Sequence, residues 1–198
     1  MISKNIVVCT GHRDLIVPSH EGLIRASVRA AIRTADEMVF GGARGFDLIA
    51  LKEAVTWKVF ARNPQHAPHA KEHYPKTAGC NLVVIVCKTL VEQPQEVRDA
   101  ISDLDRMYPG FIEYIELGMA YTPENLIRRN YVMVNRIPSP SEGYVLTYFD
   151  GKTFKSGTGS CIRYAENTKK LRVHRIAFDE VEAPPKPQSS PGGDSHPF

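Results

Sequence analysis

Four short stretches hold the residue types that could grip an anion or move a proton. Thr10-Gly11-His12-Arg13 sets a hydroxyl, a residue without a Cβ, an imidazole and a guanidinium in succession. Arg13 suits bidentate contact with phosphate, and Arg44 offers the same from a second loop. His12 reads either as a ligand donor or acid–base group, or as a structural hydrogen-bonding histidine. Gly41-Gly42-Ala43-Arg44-Gly45-Phe46-Asp47 ends an apolar run in closely spaced glycines, and a helical pattern follows. Helix-start N–H groups carry partial positive charge, so this turn reads as an anion cradle for phosphate, with a tight strand-to-helix turn as the alternative. It matches neither the dinucleotide fingerprint nor the P-loop. Asp47 either braces that loop and complements the helix dipole, or accepts from ribose or base groups. Arg129-Asn130 falls mid-helix, with Leu126 and Met133 flanking Asn130. A polar amide on such a face needs partners, so Asn130 either braces the glycine loop or reaches a ligand. Arg129 either meets a phosphate or forms a solvated pair with Arg128. Ser156-Gly157-Thr158-Gly159 opens a further helix and repeats the cradle logic. Ser160 and Cys161 are nucleophile types, but no G-x-S-x-G elbow or base accompanies them.

Bulk properties narrow the partners. A chain of 198 residues with 42% hydrophobic and 24% charged content is ordinary for a soluble globular protein with a sizeable core. A net charge of +3 is too small to imply nucleic acid by itself. The four cysteines, Cys9, Cys80, Cys87 and Cys161, show no metal-ligand spacing, so no metal is expected and a reducing compartment is. No secretory segment is read at the start and no apolar run nears the roughly 20 residues of a membrane span. The expectation is a cytoplasmic protein with no membrane partner.

The elements that must position these stretches alternate in type. Apolar or β-rich runs at Ile6–Cys9, Glu37–Phe40, Leu82–Val86, Phe111–Ile115, Tyr144–Phe149 and Arg172–Ile176 read as strands. Helical patterns lie over 20–35 (with Ser19 as cap), 47–57, 93–108, 123–136 and from 160 to about 170. On the first, Leu23, Ile24, Ser27, Val28, Ala31 and Ile32 share a face expected to point inward. Thr122-Pro123-Glu124 is a strong helix start. Residues 62–79 read as a loop, and residues 10–14 as a polar loop after the first strand. The expectation is an α/β, Rossmann-like three-layer sandwich with a mostly parallel sheet over residues 1–180, followed by a disordered Pro/Ser/Gly-rich tail at 181–198. Ligands in such folds bind beyond the strands' carboxyl ends, at a topological switch point. The loops 10–14, 41–47 and 156–160 each follow a strand, which argues for one shared site.

Taken together in this order, Thr10–Arg13, Gly41–Asp47, Leu82–Val86, Arg129-Asn130 and Ser156–Gly159 resemble the nucleotide-binding Rossmann-like superfamily called SLOG. It includes the DNA-processing protein A family, the lysine-decarboxylase-like (LOG) phosphoribohydrolases and YpsA-like proteins. The resemblance covers residues 6–176. It implies a nucleotide or nucleotide-derived ligand (ADP-ribose-like or a nucleoside monophosphate) and a homo-oligomer, and it implies no cofactor. The LOG hydrolases carry P-G-G-x-G-T-x-x-E with a catalytic Glu. Aligned on Gly157-Thr158, Cys161 stands in place of that Glu, leaving Asp47 or Glu166 as substitutes. The extra domains and basic face of the DNA-processing family are not evident. A binding protein (sensor, carrier or sequestering protein) therefore ranks first, a phosphoribohydrolase second, and a single-stranded-DNA-binding recombination mediator third.

Overall fold

Apolar runs this short and this continuous bury both faces when they lie inside a parallel sheet, as those at 6–11, 37–40 and 82–86 do, while the runs at the two edges, 112–116 and 172–176, stay largely exposed. The computed structural model describes residues 4–13, 18–63, 74–150 and 156–176. Within them the strands are β1 (Ile6–Gly11), β2 (Glu37–Phe40), β3 (Asn81–Val86), β4 (Ile112–Glu116), β5 (Gly143–Tyr148) and β6 (Arg172–Ile176). The helices are α1 (Glu21–Ile32), α2 (Phe46–Arg62), α3 (Tyr74–Gly79), α4 (Gln95–Met107), α5 (Pro123–Asn135) and α6 (Gly157–Arg163). The six strands form one sheet in the order β4-β3-β2-β1-β5-β6, and every pairing is parallel. The chain first builds outward from β1 to β4, then returns to lay β5 on the other side of β1. That reversal makes β1 and β5 the switch point.

Alternating side chains feed two cores. Val7, Cys9, Met38, Phe40, Leu82 and Val84 meet Ile24, Val28, Leu51, Val55, Val97 and Ile101 of α1, α2 and α4. Ile6, Val8, Val39, Val83 and Val145 face Met133, Val134, Cys161 and Ala165 of α5 and the segment beginning at α6. The fold is therefore an α/β three-layer sandwich.

Several local expectations are corrected. Thr10 and Gly11 belong to β1, paired with Thr147 and Tyr148 of β5, and are not loop residues. Pro18–His20 is a 3-10 turn, and α1 begins after His20 with no side-chain cap, so Ser19 does not cap it. Leu23 is 42% exposed, because the inward stripe is the narrower Ile24, Val28, Ala31 and Ile32. The helix read over 47–57 runs from Phe46 to Arg62. Residues 74–79, read as loop, form α3. The helix after Ser156 starts at once, at Gly157, and passes into a π-turn at Tyr164–Thr168. The tail at 181–198, residues 64–73 of the expected loop and Asp14 lie outside the described residues.

Candidate functional site

The glycine loop between β2 and α2 wraps around a carboxylate of its own chain. Gly41 N–H donates to Asp47 Oδ2 over 3.1 Å, and the Ala43 amide also donates to this carboxyl group. The next free amide, Phe46 N–H, donates to the His12 carbonyl over 3.0 Å. Three of the donors read from sequence as a phosphate cradle, the Gly41, Ala43 and Phe46 amides, thus already have acceptors. Asp47 is buried, and burial pushes its carboxyl up to about 6, against the downward pull of Arg129, Arg13 and the amides.

Each glycine has a packing reason. Gly42 and Gly45 adopt φ of +61° and +74°. A Cβ on Gly45 would lie 2.3 Å from the Arg13 carbonyl oxygen, so this glycine lets the loop press against the end of β1. A Cβ on Gly41 would meet the Arg129 guanidinium at 2.7 Å.

Arg129 and Asn130 tie two loops together from α5. The Arg129 guanidinium donates to the Gly41 carbonyl and, through Nε and Nη2, to Asn130 Oδ1 at 3.2 and 2.9 Å. Asn130 Nδ2 donates to the Gly157 carbonyl at 3.1 Å. Both side chains are buried, whereas Arg128 is exposed, so the solvated-pair reading does not hold. Burial pulls the Arg129 guanidinium below its ordinary value, while Asp47 pulls it back up.

At the start of α6, Ser156 Oγ accepts from Gly159 N–H at 3.1 Å, and Thr158 Oγ1 donates to the Gly11 carbonyl at 2.9 Å. The helix start is thereby fastened to β1. His12 is also buried, its ring stacked on Phe149 with centroids 5.1 Å apart. Its Nε2 accepts from the Asp150 amide at 3.0 Å and lies 3.1 Å from Asp150 Oδ1.

These elements enclose a cleft of about 390 Å³ at the carboxyl ends of β1 and β5. Thr10, Gly11, His12, Arg13, Ala43, Asp47, Arg129, Asn130, Ser156, Gly157 and Thr158 line it. Gly41, Gly42, Gly45 and Gly159 shape the loops behind that lining. Arg44 is exposed and opens instead on an adjoining depression, where it is joined by Arg13, Arg25 and Lys52 and by the carboxylates of Glu21 and Glu96.

The sequence reading missed one wall. Pro123, Leu126 and Ile127 of α5 also line the cleft. Their signal was topological: α5 follows β4 in a parallel sheet, so its first turns stand at the same end as the other loops. Of the two substitutes for the absent LOG glutamate, Asp47 lines the cleft and Glu166 does not. The Cys161 thiol is fully buried and burial pushes it up to about 12. Glu166 pairs with Arg175 at 2.5 Å on the π-turn. Among the described lining residues Asp47 is the carboxylate.

No family model matches the chain, and no curated protein matches it. Among solved structures it is similar to DNA processing protein A (DprA) from Streptococcus pneumoniae, with a TM-score of 0.58 and 12% identity. The match covers 90% of this chain and 52% of that one, so the present chain spans about half the length of its neighbour. At that identity the likeness is one of fold.

Proposed function

We propose that this chain binds a nucleotide or nucleotide-derived anion in the cleft between β1, β5 and α5. The observation that carries the proposal is the cleft itself. It opens at the topological switch point, has the volume of a small-ligand site, and combines two guanidinium groups with serine and threonine hydroxyls. Arg13 is the exposed cation of this set and is the phosphate contact in this reading. Arg129 and Asn130 hold the walls at the spacing a ligand meets.

Titration calorimetry with AMP, ADP-ribose and NAD, alongside mass spectrometry of small molecules released on denaturation, tests the proposal. Binding to one of these is expected, weakened about tenfold or more by Arg13→Ala, as suits loss of a charge-assisted contact. Silence across a broad nucleotide panel overturns it.

A second reading rests on the fold likeness to DNA processing protein A. Under it the cleft and the Arg44 depression would track a single strand, and binding would fall steeply with salt. A gel shift with a short single-stranded oligonucleotide at low ionic strength, showing no complex, excludes it. Cleavage of an N-glycosidic bond ranks below both: Glu166 is paired with Arg175, and Asp47, the carboxylate among the described lining residues, already accepts from the Gly41 and Ala43 amides.

A further inference from the structure

The two sides of the cleft differ in chemistry. One carries hydroxyls and the Arg13 cation, while on the α5 side Pro123, Leu126 and Ile127 form an apolar shelf beside the buried Arg129 and Asn130. Just before that apolar shelf comes Tyr121. Among the described residues five large apolar side chains stand exposed, and Tyr121, at 40%, is the aromatic one.

Its backbone is pinned. The Ala120 carbonyl accepts from Thr122 N–H at 3.0 Å and from Asn125 Nδ2 at 2.9 Å. Upstream, Leu117 and Met119 amides donate to the Val86 and Cys87 carbonyls at 3.1 and 2.7 Å. The segment is thus stitched to the carboxyl end of β3, at the same end of the sheet as the cleft. Tyr121 itself stands just outside the cleft lining, two residues ahead of Pro123, which is part of it. A ring presented on a rigid knuckle loses little freedom when something settles on it.

We infer that Tyr121 is a specificity-determining residue that stacks on a planar heterocyclic base, with the α5 shelf beneath that base and the ligand's anionic end toward Arg13. This rests on the nucleotide reading and deepens it by assigning the cleft a base end and a phosphate end. Aromatic stacking tolerates any base, because every base has a π-face, so the contact recognises the base as such and not its hydrogen-bonding edge.

The test pairs ligand truncation with side-chain truncation. Calorimetric affinities for AMP, GMP and ribose 5-phosphate are measured on the wild type, Tyr121→Ala and Tyr121→Phe. Tyr121 is exposed, so both variants are expected to fold, and circular dichroism checks this. The wild type is expected to prefer AMP and GMP over ribose 5-phosphate. Tyr121→Ala is expected to lower AMP and GMP affinity about tenfold, as loss of a stacking platform does, and to leave ribose 5-phosphate unchanged. Tyr121→Phe is expected to keep wild-type affinity. An equal loss for all three ligands, or no loss for any, overturns the inference and leaves the nucleotide reading standing. Failure of the wild type to bind AMP, GMP and ribose 5-phosphate, with no nucleotide released on denaturation, overturns both.

Discussion

At the scale of single residues, Asp47 and Arg129 are two buried groups of opposite charge that act on one another. Removing one partner of a buried pair strands the other charge, so Arg129→Ala is expected to cost about 3–5 kcal/mol in urea unfolding. Asp47 also imposes a pH dependence. Its proton is held to about pH 6 in the folded chain but only to about 4 in the unfolded one. The folded state therefore binds more protons between those values, and the Asp47 contribution to stability falls as pH rises through that window, by about 2–3 kcal/mol. Unfolding curves from pH 4 to 7 for wild type and Asp47→Asn isolate this, since the variant lacks the titration. A difference curve flat across that window would count against the burial argument. Sequence alone could pose brace against ligand contact for Asp47 and for Asn130, but not decide between them. The bracing partners, Gly41 and Gly157, are amides and carbonyls whose direction depends on how α5 lies across the sheet, and the Asp47 and Asn130 side chains line the cleft as well.

At the scale of elements, two glycines with the same φ separate conformational cost from crowding. Gly45 and Gly110 both sit at +74°, but a Cβ on Gly45 strikes the Arg13 and His12 carbonyls, while one on Gly110 meets open space. Gly110→Ala is expected to lose about 1–2 kcal/mol, the left-handed penalty alone. Gly45→Ala is expected to lose several kcal/mol more and to fail to accumulate as folded protein, read by thermal melts and soluble yield. The inner strands were legible because burial on both faces leaves a mostly apolar run, and Glu37–Phe40 matches to the residue; the exposed edge strand Arg172–Ile176 matches to the residue without that signal. Helix starts were legible where chemistry marks them. Thr122 does accept from Asn125 N–H, at 3.3 Å. They were not where tertiary packing begins the helix, as at Phe46, whose amide bonds to His12 instead of a cap. Leu23 shows the same limit: a helical period marks a stripe but not its width.

At the scale of the whole molecule, the cleft bridges the two directions in which the chain builds its sheet. A ligand there binds the folded state alone and stabilises it by mass action. At a hundredfold excess over its Kd the gain is about 2.7 kcal/mol, or about 5–10 °C in melting temperature for a chain of this size. Differential scanning fluorimetry with AMP checks this, and no shift at saturating ligand would deny that the cleft is preformed. The switch point was legible from the alternation of elements. The apolar wall was not, because periodicity reports which face of α5 is buried and is silent on what its first turn overlooks. No helix among the described residues is long and apolar enough to cross a membrane.

The carboxylate inside the glycine loop has one more consequence. Asp47 is a tethered ligand: joined to the loop through Gly45 and Phe46, it is present there at a very high effective concentration that a free anion cannot match. The loop is in effect a receptor sold with its occupant. Cutting that tether by Asp47→Ala should leave a vacant nest of amides beside a lone guanidinium, and added formate or acetate should then restore stability in proportion to its concentration, while doing nothing for the wild type.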